Sequence, residues 1–448
     1  MTEEFRMSIL ANVGMAIQKL LGPIAEEEGE KTEIIVRKRK FTCLSLAKTF
    51  VMGFLQKPNA SDEDLAQVAV QCGADVTPQA VEQRQTPKLV KFLEGLFRRS
   101  LGLVVGSQKS LAPILERFTQ VTILDSTTLT LPDSMEDQYQ GCGGSHDGGK
   151  AALKLQVEMD LRSGALPHVE TEAGRSPDSA TSRQHAEYPA GSLRITDLGY
   201  FCVPVFAALV LAKGHFLSRL LFGTGVMRSD GTDVDILPWL ATQPGPLVDV
   251  EILLGKEQRL PCRLIAWRLP QEQADRRRQK LRKEVMSRYG KQPSAERLAW
   301  CDWTILVTSV PLTLLTAREA IVLYRARWQI ELLFKRWKSK NLIADLNGST
   351  EVRQMVRVWS RLLGSVVQHW LVVACAWGDP TRSWGKVSEA IRDFVGRLLT
   401  TLDHLGELEQ VLLDLYKVIV KTCSRNKRSK PGTLELLNDI DLLDFRLT

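Results

Sequence analysis

The sequence predicts an α/β protein with helical regions at both ends, and three observations carry this. The hydrophobic period changes near residue 119, where TQVTILDSTTLTLP alternates and is rich in β-branched residues. Three more strand-like runs follow, KLQVEMDL (154–161), LPHVETEAG (166–174) and SLRITDLGYF (192–201), and then an apolar helix, VPVFAALVLAKG. Helical patterns occupy residues 1–115 and return after 350. Strands leading into a helix, framed by helices, suit an α/β layer.

In residues 1–115, DEDLAQVAVQCG (62–73) is followed by TPQAVEQRQT (77–86), where Thr77 suits an N-cap and Pro78 the first helical position. Helix, glycine turn and second polar helix resemble a helix-turn-helix, which would offer Gln79, Glu82, Gln83 and Arg84 to a DNA groove. Residues 116–213 hold the first strands, with Asp125 and Asp197 at or near strand ends and a glycine-rich loop, GCGGSHDGGK (141–150), between them. Residues 214–305 carry short strand-like runs and a basic helix, QADRRRQKLRKEVMSRYG, and read as a mainly β insertion. Residues 306–350 return to the layer through VTSVP and a helix, and residues 351–448 read as helical.

The 448 residues allow several domains, and a hydrophobic share of 44% with 25% charged residues is ordinary for a folded chain. The net charge of +7 is modest, but cations cluster at Arg37–Lys40, Arg276–Lys283 and Arg425–Lys430, which favours a polyanion. Eight cysteines are scattered without a C-x-x-C pair, which argues against structural zinc and disulfides and for a reducing compartment. The N-terminus lacks a secretory pattern, and the apolar run FCVPVFAALVLA (201–212) is too short to span a bilayer. A cytoplasmic protein with no membrane partner is expected. GSHDGGKA (144–151) has Ala151 where a nucleotide-binding loop needs Ser or Thr, so no nucleotide cofactor is expected. His146 and Lys150 of that loop remain candidates for DNA phosphate; Asp302 reads as a turn residue.

The chemistry concentrates in AREAIVLYRARWQIELLFKRWKSK (317–340). On one continuous helix, Tyr324, Arg327, Glu331 and Lys338 would share an arc of about 60° and span roughly 21 Å. A carboxylate flanked by cations suits a metal-bound phosphodiester, with Glu331 on the cation and Arg327 and Lys338 on phosphate oxygens. Asp125 and Asp197 add two oxygen donors, and three carboxylates suit a pair of Mg2+ ions for in-line displacement at phosphorus.

YRARWQIELLFKRWK closely resembles the signature of DDE cut-and-paste transposases of bacterial insertion sequences, of the insertion-sequence family four type. LDSTTLTLP, ITDLGYF and VTSVP resemble the segments around that family's first aspartate, its second aspartate and the approach to its glutamate. The resemblance implies an RNase H-like catalytic core interrupted by the insertion, with Asp125, Asp197 and Glu331 as catalytic metal ligands for two Mg2+ ions, Mn2+ being a possible substitute. It implies that Tyr324, Arg327 and Lys338 contact transposon-end DNA. Trp303 would stack on a flipped base in a hairpin route, and Arg219 would contact phosphate. It further implies a DNA-binding N-terminal region, a dimerising C-terminal region, and a homodimer acting on transposon ends and target DNA at the bacterial nucleoid. The rival readings are an inactive or domesticated DNA-binding regulator, and a nuclease without strand transfer.

Overall fold

Among the described residues, the alternating and β-branched segments form nine strands: β1 (Val121–Leu131), β2 (Ala151–Asp160), β3 (His168–Ala173), β4 (Leu193–Thr196), β5 (His215–Arg219), β6 (Val226–Met227), β7 (Leu247–Leu254), β8 (Leu260–Arg268) and β9 (Trp303–Thr308). The structure, a computed structural model, describes residues 3–35, 40–143, 149–346, 348–426 and 431–442. His146 and most of the two terminal basic runs fall outside these residues. The chain divides into two compact units. One holds Met1–Leu111, Ser126–Ser176 and Ile330–Arg428; the other holds Ala112–Asp125, Pro177–Gln329 and Ser429–Thr448.

The second unit is built on the strand order β1-β4-β5-β9-β8-β7-β6. β1, β4 and β5 run parallel, and the helix Val203–Leu211 provides the crossover from β4 to β5. From β5 onward every pairing is antiparallel. The segment 214–305, expected as a mainly β insertion within the catalytic domain, supplies strands to this same sheet. Its first strand, β5, is the third parallel strand, and the rest extends the same sheet. Phe206 of the crossover helix stacks on Phe216 of β5 at 4.4 Å between ring centres, inside a core that also buries Leu264, Val307 and Trp303.

The first unit is mainly helical, with β2 and β3 paired as the expected hairpin from Leu153 opposite Ala173 to Glu158 opposite His168. The N-terminal helical region up to Leu111 and the C-terminal helical region up to Arg428 share this unit. The helix Glu351–Ala376 packs on Pro87–Ser100 and Cys43–Gln56, and Glu3–Leu21 packs on Leu405–Thr422. Glu351–Ala376 and the segment Ser8–Thr32 are long and apolar enough to cross a membrane, which the reading of residues 201–212 overlooked. The apolar window of Glu351–Ala376 lies wholly inside the protein, as in a core helix. The N-terminal helix pair forms as expected: Thr77 caps Pro78–Arg84, and Gly73 takes a left-handed φ of 77° in the turn. Glu82 pairs with Arg353, however, so it is held against the unit's own long helix.

Candidate active site

Register puts the first candidate residues together. β1 and β4 pair from Val121 opposite Leu193 to Leu124 opposite Thr196, so the next residue on each strand is an aspartate, Asp125 and Asp197. β4 and β5 pair from Leu193 opposite His215 to Thr196 opposite Ser218, so the next residue on β5 is Arg219. Neighbouring strands lie about 4.8 Å apart. Two carboxylates and a guanidinium thus follow the last paired residues of three adjacent parallel strands, the end where open α/β sheets bind ligands. Asp197 occupies the N-cap of the short turn Leu198–Tyr200, yet its side chain makes no capping bond and remains available to the cleft.

Arg327 bridges the two aspartates. Its Nη1 lies 3.3 Å from Asp125 Oδ2 and its Nε 3.9 Å from Asp197 Oδ1. Side-chain exposure is 15% for Arg327, 19% for Asp125 and 41% for Asp197. Two neighbouring carboxylates repel one another, and a shared cation offsets that repulsion. The guanidinium supplies this charge. A divalent metal would meet the same demand, because Mg2+ is commonly held by one or two carboxylates together with phosphate oxygens. The donor set therefore fits the expected metal.

The continuous helix expected over 317–340 is interrupted. Helices run over Ala317–Arg325 and Trp328–Ser339, and Ala326 and Arg327 form a turn between them. At the break, the N–H groups of Ala326, Arg327 and Gln329 donate to the carbonyls of Leu323, Tyr324 and Ala326, three residues back rather than four. The angles reckoned for one straight helix therefore do not describe Tyr324, Arg327, Glu331 and Lys338. Glu331 is the fourth residue of the second helix, and it and Lys338 belong to the mainly helical unit. Among the described residues, no three His, Cys, Asp or Glu side chains are grouped closely enough to hold a metal ion. Within the sheet unit, the geometry gathers the two aspartates at Arg327.

Beside Arg327, a cavity of about 460 Å³ is lined by Arg219, Arg277, Arg325, Tyr324 and Trp328. Burial lowers the Arg277 guanidinium to about 10, and the neighbouring charge of Arg219 adds to the effect. Burial also lowers Arg325, whose buried Nη1 has no hydrogen-bond partner among the described residues. The Tyr324 hydroxyl is buried, and its pKa is raised first by burial and then by the charge of Asp197, with Arg327 acting in the opposite sense. Desolvated cations and unpaired donors are costly, and an anion with several oxygens would relieve them. The sequence reading missed Arg277, Arg325 and Trp328. A signal existed for Arg277, which lies three residues after Ala274 and four before Leu281, on the apolar stripe of its helix.

Trp303 lies elsewhere. It is 7% exposed, belongs to the core of the sheet unit and has Arg268 over its ring at 5.9 Å. As placed it offers no face to a base, because it begins β9 within packed hydrophobic side chains. The exposed tryptophan of the cavity is Trp328, at 54%. Lys338 is partly buried, and burial lowers its pKa. Asp302 pairs with Arg278 and is structural.

Residues 116–366 match the family model described as the transposase DDE domain. The chain is 26% identical over 451 residues to the transposase for insertion sequence element IS231F of Bacillus thuringiensis subsp. israelensis, with 93% of each chain covered. It is 27% identical over 438 residues to that of element IS231B of Bacillus thuringiensis subsp. berliner, covering 91% of each. It is also 25% identical over 326 residues to the transposase for element IS1151 of Clostridium perfringens, covering 66% of each. With more than half of its length matched by the family model, the chain belongs to the transposase DDE domain family.

Proposed function

We propose that this chain is a DNA transposase of the insertion-sequence family four type, with an RNase H-like core, that excises a mobile element and joins it to new DNA. The observation that carries the reading is the placement of Asp125 and Asp197 one residue beyond the paired stretch of two adjacent parallel strands, with Arg327 shared between them. Glu331, the next acidic residue after Arg327, is the proposed third carboxylate. When bound, divalent metal, Mg2+ or in its place Mn2+, would polarise the scissile phosphate and lower the pKa of the attacking oxygen.

The chain's own groups hold and orient the DNA. Arg327, Arg219 and Tyr324 face phosphate oxygens at the transposon end, with Arg277 and Arg325 supplying further donors from the cavity wall. Lys338 is a further proposed contact to transposon-end phosphate. In the first displacement, a water oxygen bonds to phosphorus, the bond from phosphorus to the 3′ oxygen breaks, and that oxygen leaves as a 3′-OH. In the second, the 3′-OH oxygen bonds to phosphorus on the opposite strand, a strand oxygen leaves, and a hairpin end results. A water oxygen then bonds to the hairpin phosphorus and releases the 3′-OH, whose oxygen bonds to a phosphorus of target DNA as the target's own 3′ oxygen leaves. Cutting both ends together calls for a homodimer bridging two DNA ends, acting in the cytoplasm on the nucleoid.

The test uses the full-length chain and linear DNA bearing the inverted repeats that flank its reading frame. Nicked, hairpin and joined products should form with Mg2+ and vanish with a chelator. Glu331→Ala should bind the end and cleave nothing. Cleavage that persists in the chelator, or full cleavage by Glu331→Ala, would contradict the proposal.

A further inference from the structure

We infer that the outward face of the helix Gln271–Tyr289 is a second DNA-binding surface, one that takes target duplex without regard to sequence; this rests on the transposase reading above. The helix has two distinct sides. Ala274 and Val285 are buried on the inner side, and Arg277 reaches inward to donate to the Trp303 carbonyl at 3.2 Å and the Thr304 hydroxyl at 3.1 Å. Arg277 thereby lines the arginine-rich cavity beside Arg327.

On the opposite side, Arg276, Lys280, Lys283 and Ser287 fall at about 0°, 40°, −20° and 20° around the axis and span roughly 16 Å. All four are exposed; Arg282 and Arg288, at about −120° and 120°, are exposed on the two flanks of the helix, and Lys291 is exposed beyond its end. Arg276 is paired with Glu272, and Arg278 is used by Asp275 and Asp302. Lys280, Arg282 and Lys283 make no ion pair among the described residues, and Glu284 is the one acidic residue between Lys280 and Lys291. At the helix end, Tyr289 is 58% exposed and lies between Arg288 at 5.5 Å and Lys291 at 6.0 Å.

This chemistry selects the partner. Isolated lysines and arginines on a convex helix face attract phosphate oxygens and read little sequence. A protein that recognises its own ends by sequence must also hold a target of almost any sequence. The cationic face meets the second need. It lies one helix diameter, about 10 Å, from the inner side that faces the cavity. A duplex resting on it would not compete for the cavity arginines.

The experiment compares the wild-type full-length chain with Lys280→Ala/Arg282→Ala/Lys283→Ala. These exposed positions leave the core untouched, and Lys280→Arg/Arg282→Lys/Lys283→Arg keeps the charge as a control. Three measurements are made: binding of a duplex lacking the ends against salt, joining of a pre-cut end to a plasmid, and cleavage of an uncut end. The alanine variant should lose about 2.7 units of the salt slope and join about tenfold less. Its end cleavage should stay within about twofold, and the charge-preserving control should restore the rest. An unchanged slope, or end cleavage falling as far as joining, would overturn the inference. Should the wild-type chain cleave no end at all, the transposase reading fails by itself. The duplex-binding arm then still decides whether this face binds DNA.

Discussion

Arg263 and Arg327 each bind aspartate in the same sheet unit, and they do so in opposite ways. In the antiparallel half, Arg263 forms a two-pronged pair with Asp249, and its Nη1 donates to the carbonyls of Val310 and Leu315 at 2.9 and 2.7 Å. At the ends of the parallel strands, Arg327 divides its attraction between Asp125 and Asp197 at 3.3 and 3.9 Å. The first arrangement is one carboxylate to one guanidinium, with the remaining donors spent on backbone. The second is two carboxylates to one guanidinium at longer range. The lesson is that a saturated pair holds a fold in place, whereas a shared and stretched one leaves carboxylate charge that a metal ion can use.

The largest expected effect breaks that contrast at its active end. Asp125→Ala and Asp197→Ala should each reduce DNA cleavage by about three orders of magnitude or more. Their melting temperatures should stay within about 2 °C of wild type, since removing one of two repelling carboxylates takes away no core packing. A gel cleavage assay beside a thermal melt reads both quantities. Variants that cleave normally would remove the aspartates from the chemistry.

Core burial of Trp303 leads to the next effect in size. Trp303→Ala should cost about 3–5 kcal/mol of stability, as for other large aromatic residues removed from cores. All DNA steps should then fall together with the folded fraction. Selective loss of hairpin formation in a fully folded variant would restore the base-stacking role. At the saturated pair, Asp249→Ala should cost about 3 kcal/mol by leaving Arg263 buried without its carboxylate. Replacing Asp249 and Arg263 together with apolar residues should recover much of that loss in denaturant titrations. A neutral single variant would mean that Asp249 contributes nothing to holding the strands.

A third buried group sharpens the comparison by avoiding charge altogether. His369 sits in the helical unit with its Nε2 2.8 Å from the Gly164 carbonyl, and burial, followed by the charge of Arg336, lowers its pKa from 6.5 to about 3. The unfolded chain accepts a proton below pH 6.5 that the folded chain refuses. Its contribution is therefore complete above pH 6.5 and declines as pH falls from 6.5 toward 3. Stability should drop by up to about 1.4 kcal/mol per pH unit across that window. His369→Gln should flatten this part of the profile, and an unchanged profile would show that the histidine titrates freely.

Much of this was legible in the sequence, in specific places. LDSTTLTLP and LRITD were read as strands carrying Asp125 and Asp197, and β1 runs past Asp125 to Leu131. Strand pattern alone could not show that HFLSRL lies parallel to β4, because alternation reveals a strand and leaves its neighbour and direction open. The turn at Ala326 and Arg327 was equally hidden. YRARWQ contains neither glycine nor proline, and its residues suit a helix well enough that tertiary contacts had to decide. Trp303 and Trp328 show the same limit, since pattern alone did not reveal which tryptophan packs inside and which lines the cavity.

We propose that Asp125 and Asp197 form an oxygen-donor site for a divalent ion at the scissile phosphate. It is tested most directly by exchanging one oxygen donor for sulfur, because thiolate suits Mg2+ poorly and tolerates softer ions better. End cleavage by Asp197→Cys should be measured with Mg2+ and with Mn2+, beside Asp249→Cys as the control from the saturated pair. Asp197→Cys should be inactive in Mg2+ and recover in Mn2+, while the folded Asp249→Cys protein should keep the wild-type metal preference. Equal cleavage by Asp197→Cys in the two metals, or undiminished cleavage in Mg2+, would contradict the claim.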